Sequence, residues 1–154
     1  MESVFGAPDP ELDDLRRIRA ELRGSMTALQ QALAAPASGR GGAWAERVDV
    51  ALVELSADFR EHVDVTEGPC GLHGAVVVTA PRLSHSVHRL VGEHAVITEL
   101  VGDLLTRVRP PVPDGEVDTI RDLGTALLDR LERHRRHGAD LIYEAYQVDL
   151  GGET

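Results

Sequence analysis

The sequence predicts an all-α protein, an up-down-up-down bundle of four helices, and three observations carry that prediction. Apolar residues recur at steps of three, four and seven along four long stretches, which puts them on one face of a helix. Short Pro/Gly breakers separate the stretches (APASGRGG at 35–42, EGPCG at 67–71, TAP at 79–81, RPPVPDGE at 109–116), and loops that short return each helix beside the last. The chain has 154 residues but only one Trp, two Tyr and two Phe, poor material for the pleated surfaces of a sandwich or barrel.

The first helix, over 10–34, aligns Leu12, Leu15, Leu22, Met26, Leu29 and Leu33, and Asp9-Pro10-Glu11 supplies an N-cap, a first-turn proline and an early carboxylate. The second aligns Trp44, Val48, Leu52, Leu55, Phe59 and His62. After it, Gly74-Ala-Val-Val-Val-Thr-Ala80 is a β-branched run that propensity alone would make a strand. A lone strand has no partner in this chain, so the expectation is that the second helix continues through 68–80 beyond a kink at Gly68-Pro69. The third helix aligns Leu83, Val87, Leu90, His94, Ile97, Val101, Leu104 and Val108. The fourth aligns Ile120, Leu127, Leu131, His134, Gly138 and Leu141, with Asp114 or Asp118 as its cap. A single domain is expected over 1–154, with loosely packed ends at 1–9 and 151–154.

Composition removes several classes of function. The net charge of −10 argues against coating nucleic acid or an anionic membrane. One cysteine, Cys70, permits neither an intramolecular disulfide nor a Cys-based zinc site. The start, MESVFGAPDPELDD, carries no basic and apolar leader, and no apolar run approaches the roughly 20 residues of a membrane span, so a cytoplasmic location is expected. No phosphate loop, Rossmann fingerprint, nucleophile motif or Glu-x-x-His occurs.

Seven histidines remain, and three of them occupy seam positions that should be apolar: His62, His94 and His134, on the second, third and fourth helices. In an antiparallel pair, residues at one level are centred on the turn. The midpoint of His62 and His94 is 78, beside Thr79-Ala80-Pro81; that of His94 and His134 is 114, within Pro-Pro-Val-Pro-Asp-Gly. Three imidazoles should therefore converge at one level in the interior. Packed together without a partner, they would leave buried polar nitrogens unsatisfied, whereas neutral imidazole is a favoured ligand for Fe, Zn, Cu or Ni. Glu67, just before the kink, is the carboxylate best placed to join them, and Glu93, about 100° off the seam, is a flanking group. On the first helix Asp14 or Glu21 could lean in, or Arg19 could pair with a carboxylate or an anion; Asp140 and Glu144 are weaker candidates. His85, His88, His137 and His73 are read as surface or loop residues, the last with a remote prospect of a thiolate pair with Cys70.

With these residues in place the chain resembles the hemerythrin-like, or HHE cation-binding, family. The resemblance is carried by F59-R-E-H62, E67-G-P-C-G-L, H88-R-L-V-G-E-H94, L131-E-R-H134 and the block A-D-L-I-Y-E-A-Y-Q-V-D-L-G-G at 139–152. It implies a four-helix bundle whose interior binds non-heme iron, usually two ions bridged by carboxylates, and which binds or senses O2 or related oxidants. Carried over by position, it makes His62, Glu67, His94 and His134 the metal residues. The chain departs from the pattern in three places. It has no histidine on the first helix and no second histidine four residues from His94, and Gly138 stands where many members carry Glu. Three histidines and one carboxylate are fewer than a full diiron centre takes, so a mononuclear or atypical diiron site, or another divalent metal, is expected. The readings are a metal protein that binds or senses a small diatomic ligand or peroxide, an oxygen-activating enzyme on the same site, and a metal-free interaction bundle with a degenerate site.

Overall fold

In the computed structural model, residues 10–68 and 71–145 are described. The long helices are α1 (Pro10–Ala34), α2 (Gly41–Glu67), α4 (Ser84–Arg107) and α5 (Glu116–Tyr143), with a short α3 (Leu72–Thr79) and a 3-10 turn, Pro81–Leu83, between α2 and α4. No strand occurs among the described residues. Each long helix lies against two others, α1 on α2 and α5, α4 on α2 and α5, which closes the four into a ring.

The sequence period explains why they close. All eight predicted seam residues of α4 and its lead-in, Leu83 through Val108, are buried. In α2, Trp44, Val48, Leu52, Leu55 and Phe59 are buried, and in α5 Ile120, Leu127, Leu131, His134 and Leu141. Cores of this kind lose about 2–5 kcal/mol for each Leu or Ile truncated to Ala, so the seam dominates the energetics. In α1 the seam also includes Ile18, which is 2% exposed and lies between Leu15 and Leu22. Helix α5 closes the far end of α1: the Arg121 guanidinium donates to the carbonyls of Leu33 and Ala35, 2.9 Å each, and covers the Trp44 ring. These are carbonyls that a helix C-terminus leaves without intrahelical partners.

Two expectations about helix ends need refinement. The second helix is bent at Gly68 and the chain continues helically to Thr79, as expected, with a break between the two pieces. Helix α2 stops at Glu67, Gly68 turns to extended backbone (ψ 167°), and α3 starts afresh at Leu72. Gly71 is what lets the chain fold back so tightly: a Cβ there would sit 2.5 Å from the Thr66 carbonyl oxygen. The β-branched run is helical, as expected. Helix α5 begins at Glu116 without a side-chain cap, so neither Asp114 nor Asp118 caps it; Glu116 and Asp118 instead place negative charge in its first turn.

The apolar interior falls into two clusters. The larger fills the bundle from Ala37 and Trp44 to Phe59, Ile97 and Leu131. The smaller, Val76, Ala80, Leu83, Val87, Leu90, Leu141 and Ala145, binds α3 and the 3-10 turn to α4 and α5. His94 lies between Leu90 and Ile97 along α4, and His134 between Leu131 and Leu141 along α5, so the histidines occupy the layer where the two clusters meet.

Candidate metal centre

His62, His94 and His134 reach that layer from three helices and converge there. His62 Nε2 is 3.2 Å from His134 Nε2, and His94 Nε2 is 3.1 Å from the same atom. Their ring centroids are 4.7–5.3 Å apart. Phe59, one turn before His62, forms the floor, its ring 5.7, 5.7 and 6.2 Å from the three imidazoles. The Thr66 and Thr98 hydroxyls donate to the carbonyls of His62 and His94 at 2.9 and 2.8 Å, bracing the turns that carry the rings.

Two carboxylates approach from outside. Glu67 Oε1 lies 2.6 Å from His94 Nδ1, and Glu93 Oε2 lies 2.6 Å from His134 Nδ1. The second Glu93 oxygen takes His137 Nδ1 at 2.8 Å, so His137, exposed as expected, is nevertheless tied to the site. Glu67 thus has the relation to His94 that Glu93 has to His134, one bond out from the Nε2 cluster; the group of atoms close enough to share one ion contains the three histidines alone.

Charge states follow from burial and partners. Burial pushes His62 down to about 3, and repulsion from His134, His94, His73 and Arg19 adds to it. His134 is also lowered, burial outweighing the hydrogen bond to Glu93. Burial would raise Glu93, but its hydrogen bonds with His134 and His137 win and hold it below the usual carboxylate range. Neutral His134 beside ionised Glu93 must therefore give its Nδ1–H to the carboxylate, and the Glu67 contact asks the same of His94. With His94 neutral as well, both Nε2 atoms are lone pairs facing each other at 3.1 Å. A proton on His62 Nε2 can satisfy one of them but leaves the other opposed.

A cation in the layer removes the conflict. Donors about 2.0–2.1 Å from a single ion lie about 2.8–3.0 Å apart at a right angle and about 3.3–3.4 Å apart in a tetrahedron, and both Nε2 separations fall between these. The set fits a metal: three imidazole nitrogens suited to Fe, Zn, Cu or Ni, two of them oriented by carboxylates on their far side.

The other candidates lie elsewhere. Asp14 and Glu21 are exposed and engaged by Arg17, at 3.8 and 3.0 Å, so neither leans inward. Glu21, Asp58 and Glu61 form a second close acidic group, but Arg17 bridges Glu21 and Glu61 and Ser25 donates to Asp58, a solvated ion-pair cluster. Asp140 and Glu144 are exposed beside Glu93 and His137. His85 and His88 are exposed, as expected. His73 is not a surface residue: it is 7% exposed and stacked on His94, centroids 5.6 Å apart and planes 11° from parallel. Burial pushes it down to about 4, with His94 adding to the effect. Its signal was present in the sequence, since His73, Val76, Ala80 and Leu83 step by three, four and three; it becomes visible once α3 is given its own register. Cys70 lies outside the described residues.

The chain matches no protein-family model, no curated protein and no solved structure. No described helix is long and apolar enough to cross a membrane.

Proposed function

We propose that this bundle is a metal-binding protein of hemerythrin-like type, holding a first-row transition metal, iron in the first instance, through His62, His94 and His134. The single observation that supports this is the pair of carboxylate-fixed imidazoles whose Nε2 atoms face each other at 3.1 Å, an arrangement neutral rings do not favour without a cation between them. When bound, the ion offers open coordination positions to a small ligand such as O2, peroxide or nitric oxide. The chain's own residues supply the rest: Glu67 and Glu93 hold the ring tautomers, Phe59 closes one side of the layer, and Glu67 serves as an outer carboxylate rather than a donor in this arrangement. Three protein donors are fewer than the resembling family usually supplies, which favours a mononuclear site.

The test is metal analysis of protein purified without chelators and after reconstitution with ferrous iron. The expected content is about one ion per chain, lost in His94→Ala. An iron-loaded protein whose near-ultraviolet bands respond to peroxide or azide supports the sensing role. Metal content near zero after reconstitution would overturn the proposal and leave the reading of a metal-free interaction bundle. The oxygen-activating alternative is favoured by one observation, a cavity against the histidine layer that could hold a substrate.

A further inference from the structure

A cavity of about 180 Å³ opens against the histidine layer, with His62, His134 and His73 on one wall and Leu22, Met26 and Leu131 on another. Its volume is comparable to cavities of about 150 Å³ that admit a benzene-sized molecule. Helix α1 sends Arg19 into it. That side chain is half-buried, and among the described residues it makes no hydrogen bond or ion pair, while its charged neighbours Arg23 and Arg135 are of like sign. A guanidinium does not neutralise itself, so its positive charge stands beside neutral imidazoles without a counterion. His73, 7% exposed, lines the same cavity with another part of its ring, while its Nδ1, without a hydrogen-bond partner among the described residues, is closed off from it. At the rim, a Cβ on Gly138 would meet nothing within 4 Å, so the backbone there leaves the space open.

We propose that this cavity binds a small organic monocarboxylate, its carboxylate held by Arg19 with His73 alongside and its apolar body on the leucines and Met26. An unpaired guanidinium selects a negative hydrogen-bond acceptor. The apolar walls select a carbon chain over an inorganic anion. The inference rests on the metal reading for what becomes of the molecule, since His62 and His134 belong to both the cavity wall and the metal centre; the charge and shape of the cavity are independent of it.

Isothermal titration of full-length protein with 4-methylpentanoate and its uncharged amide tests this, on iron-reconstituted and chelator-treated samples whose metal content is measured in parallel. The carboxylate is expected to bind with the amide at least about tenfold weaker, and Arg19→Met should weaken the carboxylate at least about tenfold with metal content unchanged, the scale of losing a charge-assisted pair. Arg19→Lys should restore part of the loss, and Gly138→Leu, which fills the rim, should abolish binding of both compounds. Equal affinity for acid and amide, no effect of Arg19→Met, or no binding in either sample overturns the proposal. Arg19-dependent binding in a protein that takes up no metal keeps the carboxylate site and removes the metal reading. Binding that needs iron but not Arg19 puts the carboxylate on the ion and overturns the proposal.

Discussion

The metal-free protein should be unusually sensitive to mild acid, and the size of the effect can be worked from two side chains. His62 and His73 are pushed down to about 3 and about 4 in the folded chain, chiefly by burial, against 6.5 for a free imidazole. The groups facing His62 are His134 on α5, His94 on α4, His73 on α3 and Arg19 on α1; those facing His73 are His94, Glu67 and His134. Only Glu67 opposes the shift. Between the two sets of values the unfolded chain binds protons that the folded chain refuses. The stability is therefore complete above pH 6.5 and falls as the pH drops through 6.5 toward 4. At pH 5 an unfolded imidazole is favoured by about 2 kcal/mol over one that cannot protonate, so the two together withdraw about 4 kcal/mol. For a domain of this length that is a fall in Tm of about 8–16 °C between pH 7.5 and 5. The assay is urea and thermal denaturation followed by circular dichroism in the presence of a chelator. A His62→Gln/His73→Gln double variant should show a flatter profile over the same range. A wild-type midpoint that holds constant from pH 7.5 to 5 would refute the reasoning, because it would mean that these rings protonate in the folded state at no cost.

Further outcomes follow from the same contacts. Glu67→Ala and Glu93→Ala remove the acceptors that orient His94 and His134, and each should lower metal affinity by about 10–100-fold without unfolding the bundle, as read by chelator competition. Two glycines of α5 should respond to alanine with opposite signs. Gly138→Ala meets open space and should stabilise by about 0.5–1 kcal/mol. Gly124→Ala brings a Cβ to 2.5 Å from Leu33 Cδ1 in the core and should destabilise by about 1–3 kcal/mol in urea denaturation. Arg121→Ala leaves the Leu33 and Ala35 carbonyls without their donor and should cost about 1–3 kcal/mol, with faster amide exchange at the end of α1.

The seams and the histidine layer were legible because both depend on helical period and loop position alone. A stripe such as Leu83 to Val108 has one way to be buried, and turn centres at 78 and 114 put three rings at one height. What escaped was whatever the kink resets. Once Gly68 turns to extended backbone, residue 73 no longer inherits the phase of α2, so His73 was assigned to the surface although its own short helix points it inward. Ile18 is hidden by the period itself, since a step of seven from Leu15 to Leu22 already satisfies one helix face without it. The carboxylates mark another boundary. Period shows that Glu93 lies beside the stripe and that Glu67 precedes the break, but which ring nitrogen each one meets is decided by side-chain torsions that spacing does not encode.

Charge balance in the histidine layer connects the two proposals. With the three imidazoles neutral, as metal ligands must be, the charge of the layer is that of its carboxylates Glu67 and Glu93, each 2.6 Å from an outer ring nitrogen: two negative charges when both are ionised. A divalent ion would neutralise them, which suits a site enclosed by Phe59 and two apolar clusters, where uncompensated charge is costly. Arg19 disturbs that balance by one positive charge from the cavity side. It would oppose a bare cation at the histidines, so a residue there serves metal retention poorly. It serves an anion well: one bound carboxylate restores neutrality to the ion, the two glutamates and the arginine together. The same arithmetic separates the oxidation states, since a trivalent ion leaves a further positive charge that a second anionic ligand would have to cancel. A monoanion held by Arg19 should accordingly bind more tightly when the layer carries a divalent ion than when it is metal-free, and binding of the two should be mutually reinforcing, because each supplies the charge the other lacks.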